Sequence, residues 1–385
     1  MTEADWLTGK DPDAMIALVG DRLSDRQWHL LACAVARRVW EAIPDGDLRD
    51  AVKWCEQNAG AAHAHRGRAE LAAGRDAARD AAPDQARAAQ FAIVRTADPD
   101  ADPDSFIHAD ERKVNAAVPL FQAAARYAGL SVEQAAEAAV HAAGVVALLM
   151  EMPPGEDQLA GVRRLVVEAT RIRTAASLHA AAALKLKAAG DLAADLDAGK
   201  NVNVRYAASL EKVTKEEESL ATKVGDLEDA KQRADRKAVV RFLLDIAGNP
   251  FKPYRLPAEW RTDTVVGLAT TIDELRAYDR MPVLADALLD ADCDEEAVLR
   301  HCRGTEAHAP DGAAHTRGCW VIDLISRREP AYFAAPPLVP PPPPPPPSAR
   351  PVAPEGKPAS ANWDRLLKAL QAADDDEDDD KPPTL

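Results

Sequence analysis

Apolar residues recur at three- and four-residue steps through most of the first 328 positions, the period of one face of an α-helix. Trp28, Leu31, Val35, Val39 and Ile43 form such a face, with Ser24 placed to cap it. Asp11 followed by Pro12 is an N-cap and first-turn pair for a helix through Val19. Pro44-Asp45-Gly46 breaks the pattern, and Leu48, Val52 and Cys55, with Trp54, make the inner face of the next helix. Residues 61–90 are rich in Ala and Arg, with helical propensity and little apolar mass. Residues 97–105 read as a loop, with Pro99 and Pro103 set among aspartates. Two helices are predicted after it, 111–128 and 131–151, with Ser131 and Gln134 spaced as a capping box. Pro153-Pro154-Gly155 marks the first candidate boundary.

From 156 to 247 two long helical stretches flank Ala198-Gly199-Lys200-Asn201. The first carries Leu159, Val162, Val166, Ile172 and Leu178. The second carries Tyr206, Leu210, Val213, Leu220, Val224, Leu227, Ala234 and Ala238 on an alternating four-three step, with Glu217 and Lys231 in two poor positions. This imperfect heptad predicts a long antiparallel helical hairpin, either an ordinary bundle pair or a coiled coil that makes a homo-oligomer. After Asn249-Pro250-Phe251-Lys252-Pro253 come short helices at Thr264–Ala277, Met281–Leu289, Glu295–His301 and Cys319–Ser326. The predicted class is all-α: a helical bundle with a long hairpin and a disordered, proline-rich and acidic C-terminal tail. The predicted divisions are 1–152, 156–247, 248–330 and 331–385.

Composition supports helices packed on helices. Apolar residues make up 47% of the 385, aromatics only 5%, and much of the remainder is Ala, a strong helix former and a poor strand former. The net charge is −16. Residues 336–385 hold nine acids and five Lys or Arg, so −4 lies there and −12 elsewhere. Such a surface repels phosphate backbones and argues against nucleic acid as a partner. Arg163, Arg164, Arg171 and Arg173 form a local basic stripe, read first as the solvated face of a helix. The most apolar stretch, Ala138 to Met150, spans thirteen residues and includes His141, too short to cross a bilayer. No basic leader precedes an apolar run at the start, so no signal peptide is predicted. Five cysteines without a CxxC pair suit reduced thiols, and the predicted location is cytoplasmic.

Two stretches carry a resemblance. One is Met1-Thr2-Glu3-Ala4-Asp5-Trp6-Leu7 with Asp11-Pro12, Ser24-Asp25-Arg26, Leu31-Ala32-Cys33-Ala34 and Arg37-Arg38-Val39-Trp40. The other runs from Gly248-Asn249-Pro250-Phe251-Lys252-Pro253 through Trp260-Arg261-Thr262, Met281 to Leu288 and His301-Cys302-Arg303-Gly304 to His315-Thr316-Arg317-Gly318-Cys319-Trp320-Val321-Ile322-Asp323-Leu324. Together, over about 130 residues, they resemble an uncharacterised family of helical proteins from GC-rich bacteria. The resemblance implies a relation of fold and no activity. Relatives often have extra cysteines where this chain has Val35-Ala36, which counts against a metal site in that N-terminal helix.

Candidate chemistry is sparse. Cys293, His301, Cys302, His308, His315 and Cys319 are residue types that zinc favours. Their spacing is poor, since adjacent His301 and Cys302 point about 100° apart on a helix, and only His315 and Cys319 stand at a common spacing. They are either ligands of a metal-stabilised or metal-dependent protein, or core thiols and hydrogen-bonding imidazoles. Asp98, Asp100, Asp102 and Asp104 alternate like a calcium loop, but Pro103 and Ala109 stand where glycine and glutamate are needed. His63 and His65 lack supporting ligands. Phosphate-loop, dinucleotide, nucleophile-elbow and zincin motifs are absent. No catalytic residue, cofactor or resident metal is assigned from these patterns.

The tail holds the sharpest pattern. Pro340–Pro347 is an unbroken run of eight prolines, the composition of a stiff polyproline II spacer. Trp363, Leu366, Leu367 and Leu370 follow at i, i+3, i+4 and i+7, one stripe of a short helix that Asn362 can cap. Seven acids, Asp374–Asp380, come next. A helix so short is unstable alone. The stripe therefore docks on a partner protein, docks back on its own body, or has no role; partner docking is the leading expectation. The predicted function is a non-enzymatic interaction or scaffold protein.

Overall fold

A computed structural model describes residues 1–43, 46–59, 68–97, 117–198, 215, 219–252, 254, 256–304 and 315–328. Among them the secondary structure is helical throughout, with no strand. Twelve α-helices are described: α1 (Glu3–Thr8), α2 (Pro12–Val19), α3 (Asp25–Ala36), α4 (Asp47–Gln57), α5 (Arg68–Ala97), α6 (Ala117–Glu151), α7 (Glu156–Asp197), α8 (Leu227–Ala247), α9 (Asp263–Leu275), α10 (Met281–Asp290), α11 (Glu296–Arg303) and α12 (Trp320–Ser326). All lie in one compact unit, Met1–Val339. The second unit, Pro340–Leu385, falls outside the described residues.

The caps read from the sequence start the helices they were assigned. Asp11 accepts from the Asp13 amide with Pro12 in the first turn of α2, and Ser24 and Gln27 form a reciprocal capping box on α3. Trp28, Leu31, Val35, Val39 and Ile43 are all buried, as their spacing requires.

The region after 111 differs from its prediction. Instead of two helices meeting near Gly129, α6 runs unbroken from Ala117 to Glu151. Gly129 sits at a close approach: a Cβ there would lie 2.1 Å from Nε2 of Gln90 on α5, so that side chain would have to move. Gln134 does not close a box on Ser131; its Oε1 accepts from Nδ1 of His179 on α7 at 2.8 Å. The long antiparallel hairpin is the pair α6 and α7, turning at Pro153-Pro154-Gly155, while α8 packs on α2, α3 and α7. Most of the heptad seam between Tyr206 and Val224 lies outside the described residues.

Helix α6 is long and apolar enough to cross a membrane by length and composition, a test that the core helix of a soluble protein also passes. Its Ala142, Val145, Val146 and Leu149 are buried in the main core. That core draws on residues from Trp6 to Ile325 and joins the two stretches that carry the resemblance. The Trp6 indole donates to the Gly248 carbonyl at 2.9 Å, and Arg26 forks onto Asp323 at 2.5 and 3.1 Å.

Half of the basic stripe is bound into ion pairs, while Arg164 and Arg173 are exposed, as the solvated-face reading expects. Arg163 on α7 reaches Asp235 on α8 and Asp13 on α2, each at 2.9 Å, and Arg171 pairs with Glu168 and Glu228.

Candidate metal centre

Asp245 sits two residues before the end of α8, within the apolar run Phe242-Leu243-Leu244-Asp245-Ile246-Ala247. Its position on the buried face leaves it 4% exposed. A helix C-terminus carries partial negative charge, so a buried carboxylate there needs cationic compensation. Three side chains from the C-terminal helices face it. His301 comes from the last turn of α11. His315 and Cys319 flank the short turn that leads into α12. Gly318 makes that turn possible: its φ is +91°, and a Cβ would meet Cδ1 of Leu30 on α3 at 2.8 Å.

The four ligand atoms lie within 4.8 Å of one another. Asp245 Oδ1 is 2.8 Å from His315 Nδ1 and 3.2 Å from His301 Nε2. Cys319 Sγ is 3.2 Å from His301 Nε2 and 3.7 Å from His315 Nδ1. A tetrahedral zinc ion separates nitrogen or oxygen ligands by about 3.3 Å, and a sulfur from a nitrogen by about 3.6 Å, given its bond lengths. Three of these four spacings lie within about 0.4 Å of those values, and the His315–Asp245 pair is about 0.5 Å shorter, at hydrogen-bond distance.

The other carboxylate oxygen of Asp245 is fixed. Oδ2 accepts the Thr316 amide N–H at 2.7 Å, which orients Oδ1 toward the imidazoles, the kind of outer contact that holds a metal ligand in place. Trp320 walls the site, tilted against His301 with centroids 5.1 Å apart and stacked on Tyr254 at 4.8 Å. Burial by itself would raise the Asp245 pKa; His315 and His301 outweigh it and hold the carboxyl well below its ordinary range. Burial opposes charge on His315 as well, yet the Asp245 carboxylate lifts its pKa to about 9. Without an ion the site is therefore a buried His315–Asp245 pair beside a thiol. With one, it supplies two imidazoles, a carboxylate and a thiolate.

Three of the six residues singled out by type, His301, His315 and Cys319, thus come together. Cys293 and Cys302 are buried in the main core and outside this group, and His308 lies outside the described residues. Asp245 was missed. Its signal is an acid inside an apolar run, 56 residues before the nearest other ligand in sequence. His63, His65, Asp98–Asp104 and the stripe Trp363, Leu366, Leu367 and Leu370 also lie outside the described residues.

Comparison with family models, with curated proteins and with solved structures gives no match.

Proposed function

We propose that this protein is a non-enzymatic helical scaffold whose body is locked by a structural metal centre at Asp245, His301, His315 and Cys319. The observation that carries this reading is the convergence of four ligand atoms of the right types within 4.8 Å, on three buried residues and the half-buried His315. Two imidazoles with one thiolate and one carboxylate select a zinc-like cation over hard calcium or magnesium. All four positions of a tetrahedral ion are filled by protein groups, which leaves none open to a substrate or reactive water. That favours a structural role over a hydrolytic one.

The ligands come from α8, α11 and the turn into α12, so the ion would clasp the C-terminal helices to the body across residues 305–314. Binding energy spent this way is folding energy. The scaffold would act in the cytoplasm and recruit a partner protein through Trp363, Leu366, Leu367 and Leu370, whose spacing is one face of a helix.

Elemental analysis of the full-length protein after exhaustive dialysis tests the centre. About one zinc per chain, lost in Cys319→Ser and in His301→Ala, is the expected result. Metal-free protein with unchanged stability would leave only a buried ion pair and end the metal reading.

A further inference from the structure

Two buried aspartates stand at matching places in their helices. Asp245 lies two residues before the end of α8 and Asp273 two residues before the end of α9, and they are 4% and 3% exposed. Each puts a negative charge where a helix already carries partial negative charge, so each needs a cationic or N–H partner. One turn supplies both. His315 and the Thr316 amide go to Asp245, and the next residue, Arg317, goes to Asp273.

Arg317 also closes the end of α9. The last carbonyls of a helix lack intrahelical partners. Nη2 of Arg317 donates to the Asp273 carbonyl at 2.8 Å, which the Arg276 amide approaches only at 3.4 Å. Arg276 has a left-handed φ of +53°, so the chain leaves α9 through a turn that costs energy to keep. Nε of Arg317 and Oδ1 of Asp273 face each other at 3.5 Å, both buried, and neither atom has a hydrogen-bond partner among the described residues. This contact is slack: a movement of about half an ångström in the turn makes or loses the bond. Arg317 is 9% exposed, so water is a poor substitute for a lost acceptor.

The candidate metal centre brackets this turn. His315 and Cys319 stand at its two ends, the Cys319 amide closes it onto the Thr316 carbonyl at 3.0 Å, and Gly318 packs on Leu30 with no room for a Cβ. An ion that binds a closed state and not an opened one suppresses opening by mass action. That protection reaches every segment that must move for the ligands to part. We propose that the turn His315–Cys319 is a metal-controlled latch: the ion bound at its two ends fixes Arg317 as the cap of α9, and so governs the local opening of a helix that carries none of the four ligands. The proposal rests on the metal reading above and extends its reach to α9. Arg328 pairs with the other oxygen of Asp273, but from beyond α12, outside the span between the ligands.

The test is hydrogen exchange read by mass spectrometry on full-length protein, zinc-loaded and after EDTA, with zinc content measured on both samples. Zinc removal is expected to speed exchange about tenfold or more in α12 and at the end of α9, where the Arg276 and Ala277 amides close the helix, and to leave α6 unchanged. Arg317→Met keeps a buried stem and removes the guanidinium, while Arg328 still pairs with Asp273. In this variant the zinc dependence should vanish at the end of α9 and persist in α12, and Arg317→Lys should restore part of it. A parent protein that holds no zinc ends the metal reading and this proposal with it. Zinc-loaded protein whose α9 end ignores zinc removal overturns this proposal alone. Equal acceleration in α6 does the same, as does an α9 response kept in a folded, zinc-bound Arg317→Met. If Arg317→Met fails to fold or to hold zinc, the parent comparison alone decides.

Discussion

Asp245 accepts the Thr316 amide through Oδ2 at 2.7 Å, and this contact turns Oδ1 onto His301 and His315. Asp245→Asn separates the two functions of the carboxylate. The amide oxygen can still accept from Thr316, but a donor NH2 then faces the imidazoles and cannot ligate. The variant is expected to fold and to lose its zinc. If the ion is present at about a thousand times its dissociation constant, its loss removes about 4 kcal/mol of stability. EDTA should lower the melting temperature of the parent protein and leave that of Asp245→Asn unchanged. Equal responses would show that the carboxylate holds no metal.

The two N-terminal cysteines behave as core residues. Burial pushes Cys55 up to about 12 and raises Cys33 well above the ordinary thiol value. Cys55 sits 3.2 Å from the sulfur of Met150. The thiolate is the reactive species, so at pH 8 the reactive fraction of Cys55 falls about three orders of magnitude below that of an exposed cysteine. Iodoacetamide followed by mass spectrometry should leave both residues unmodified in native protein and label both in denaturant. Rapid native labelling of either would contradict their placement in the core.

What could be read from the sequence was local. Asp11 with Pro12, and Ser24, identify helix starts through bonds made within four residues, and both caps form as read, with Gln27 completing a box on Ser24 that was not read. The short helices after 258 end within two residues of their predicted bounds because turn signals delimit them. The Ser131–Gln134 spacing misled because a capping box and a mid-helix glutamine that bonds a neighbouring helix look alike without His179 beside it. The metal-type group stayed hidden for the same reason. His301 and Cys302 argued against a site by their helical spacing, and the missing ligand, Asp245, belongs to a helix brought there only by packing.

Gln134 and His179 test the hairpin. His179 donates Nδ1–H to Gln134 at 2.8 Å and stacks on Tyr127 with centroids 5.5 Å apart. Gln134→Ala leaves that donor without its acceptor and is expected to cost about 1–3 kcal/mol. Burial pushes the His179 pKa below its ordinary value. The unfolded chain therefore binds the proton more readily, and stability rises with pH across this window. The contribution is complete above the unfolded value of about 6.5 and is lost as pH falls below it. Melting curves between pH 5 and 8 should show a smaller acid loss in His179→Gln than in the parent protein.

Trp6 is fully buried and donates to the Gly248 carbonyl at 2.9 Å, tying together segments 242 residues apart. Trp6→Phe keeps most of the apolar volume but orphans a buried acceptor, for an expected loss of about 1–3 kcal/mol. Trp6→Ala adds a cavity and should cost about 3–5 kcal/mol. Urea denaturation of the two variants reads both values. Nearly equal losses would mean that the hydrogen bond, and not the packing, carries the residue.

Truncation after Phe333 separates the body from the tail. Among the described residues the hydrophobic core ends at Ile325, and fifteen of the 29 prolines lie in 336–385. A tail that recruits an outside partner takes no part in that core, so the melting temperature should stay within about 1 °C of the full chain; a larger drop would favour docking of the stripe back on the body. Partner capture is the sensitive readout. The stripe Trp363, Leu366, Leu367 and Leu370 presents one helical face, and a groove that receives it loses most of its binding when the aromatic anchor goes. The same proteins should therefore disappear from pull-downs with the truncated chain and with Trp363→Ala in the full chain. If Trp363→Ala retains every protein that truncation loses, the prolines or the acids make the contact instead, and the helical stripe is not the recruiting element.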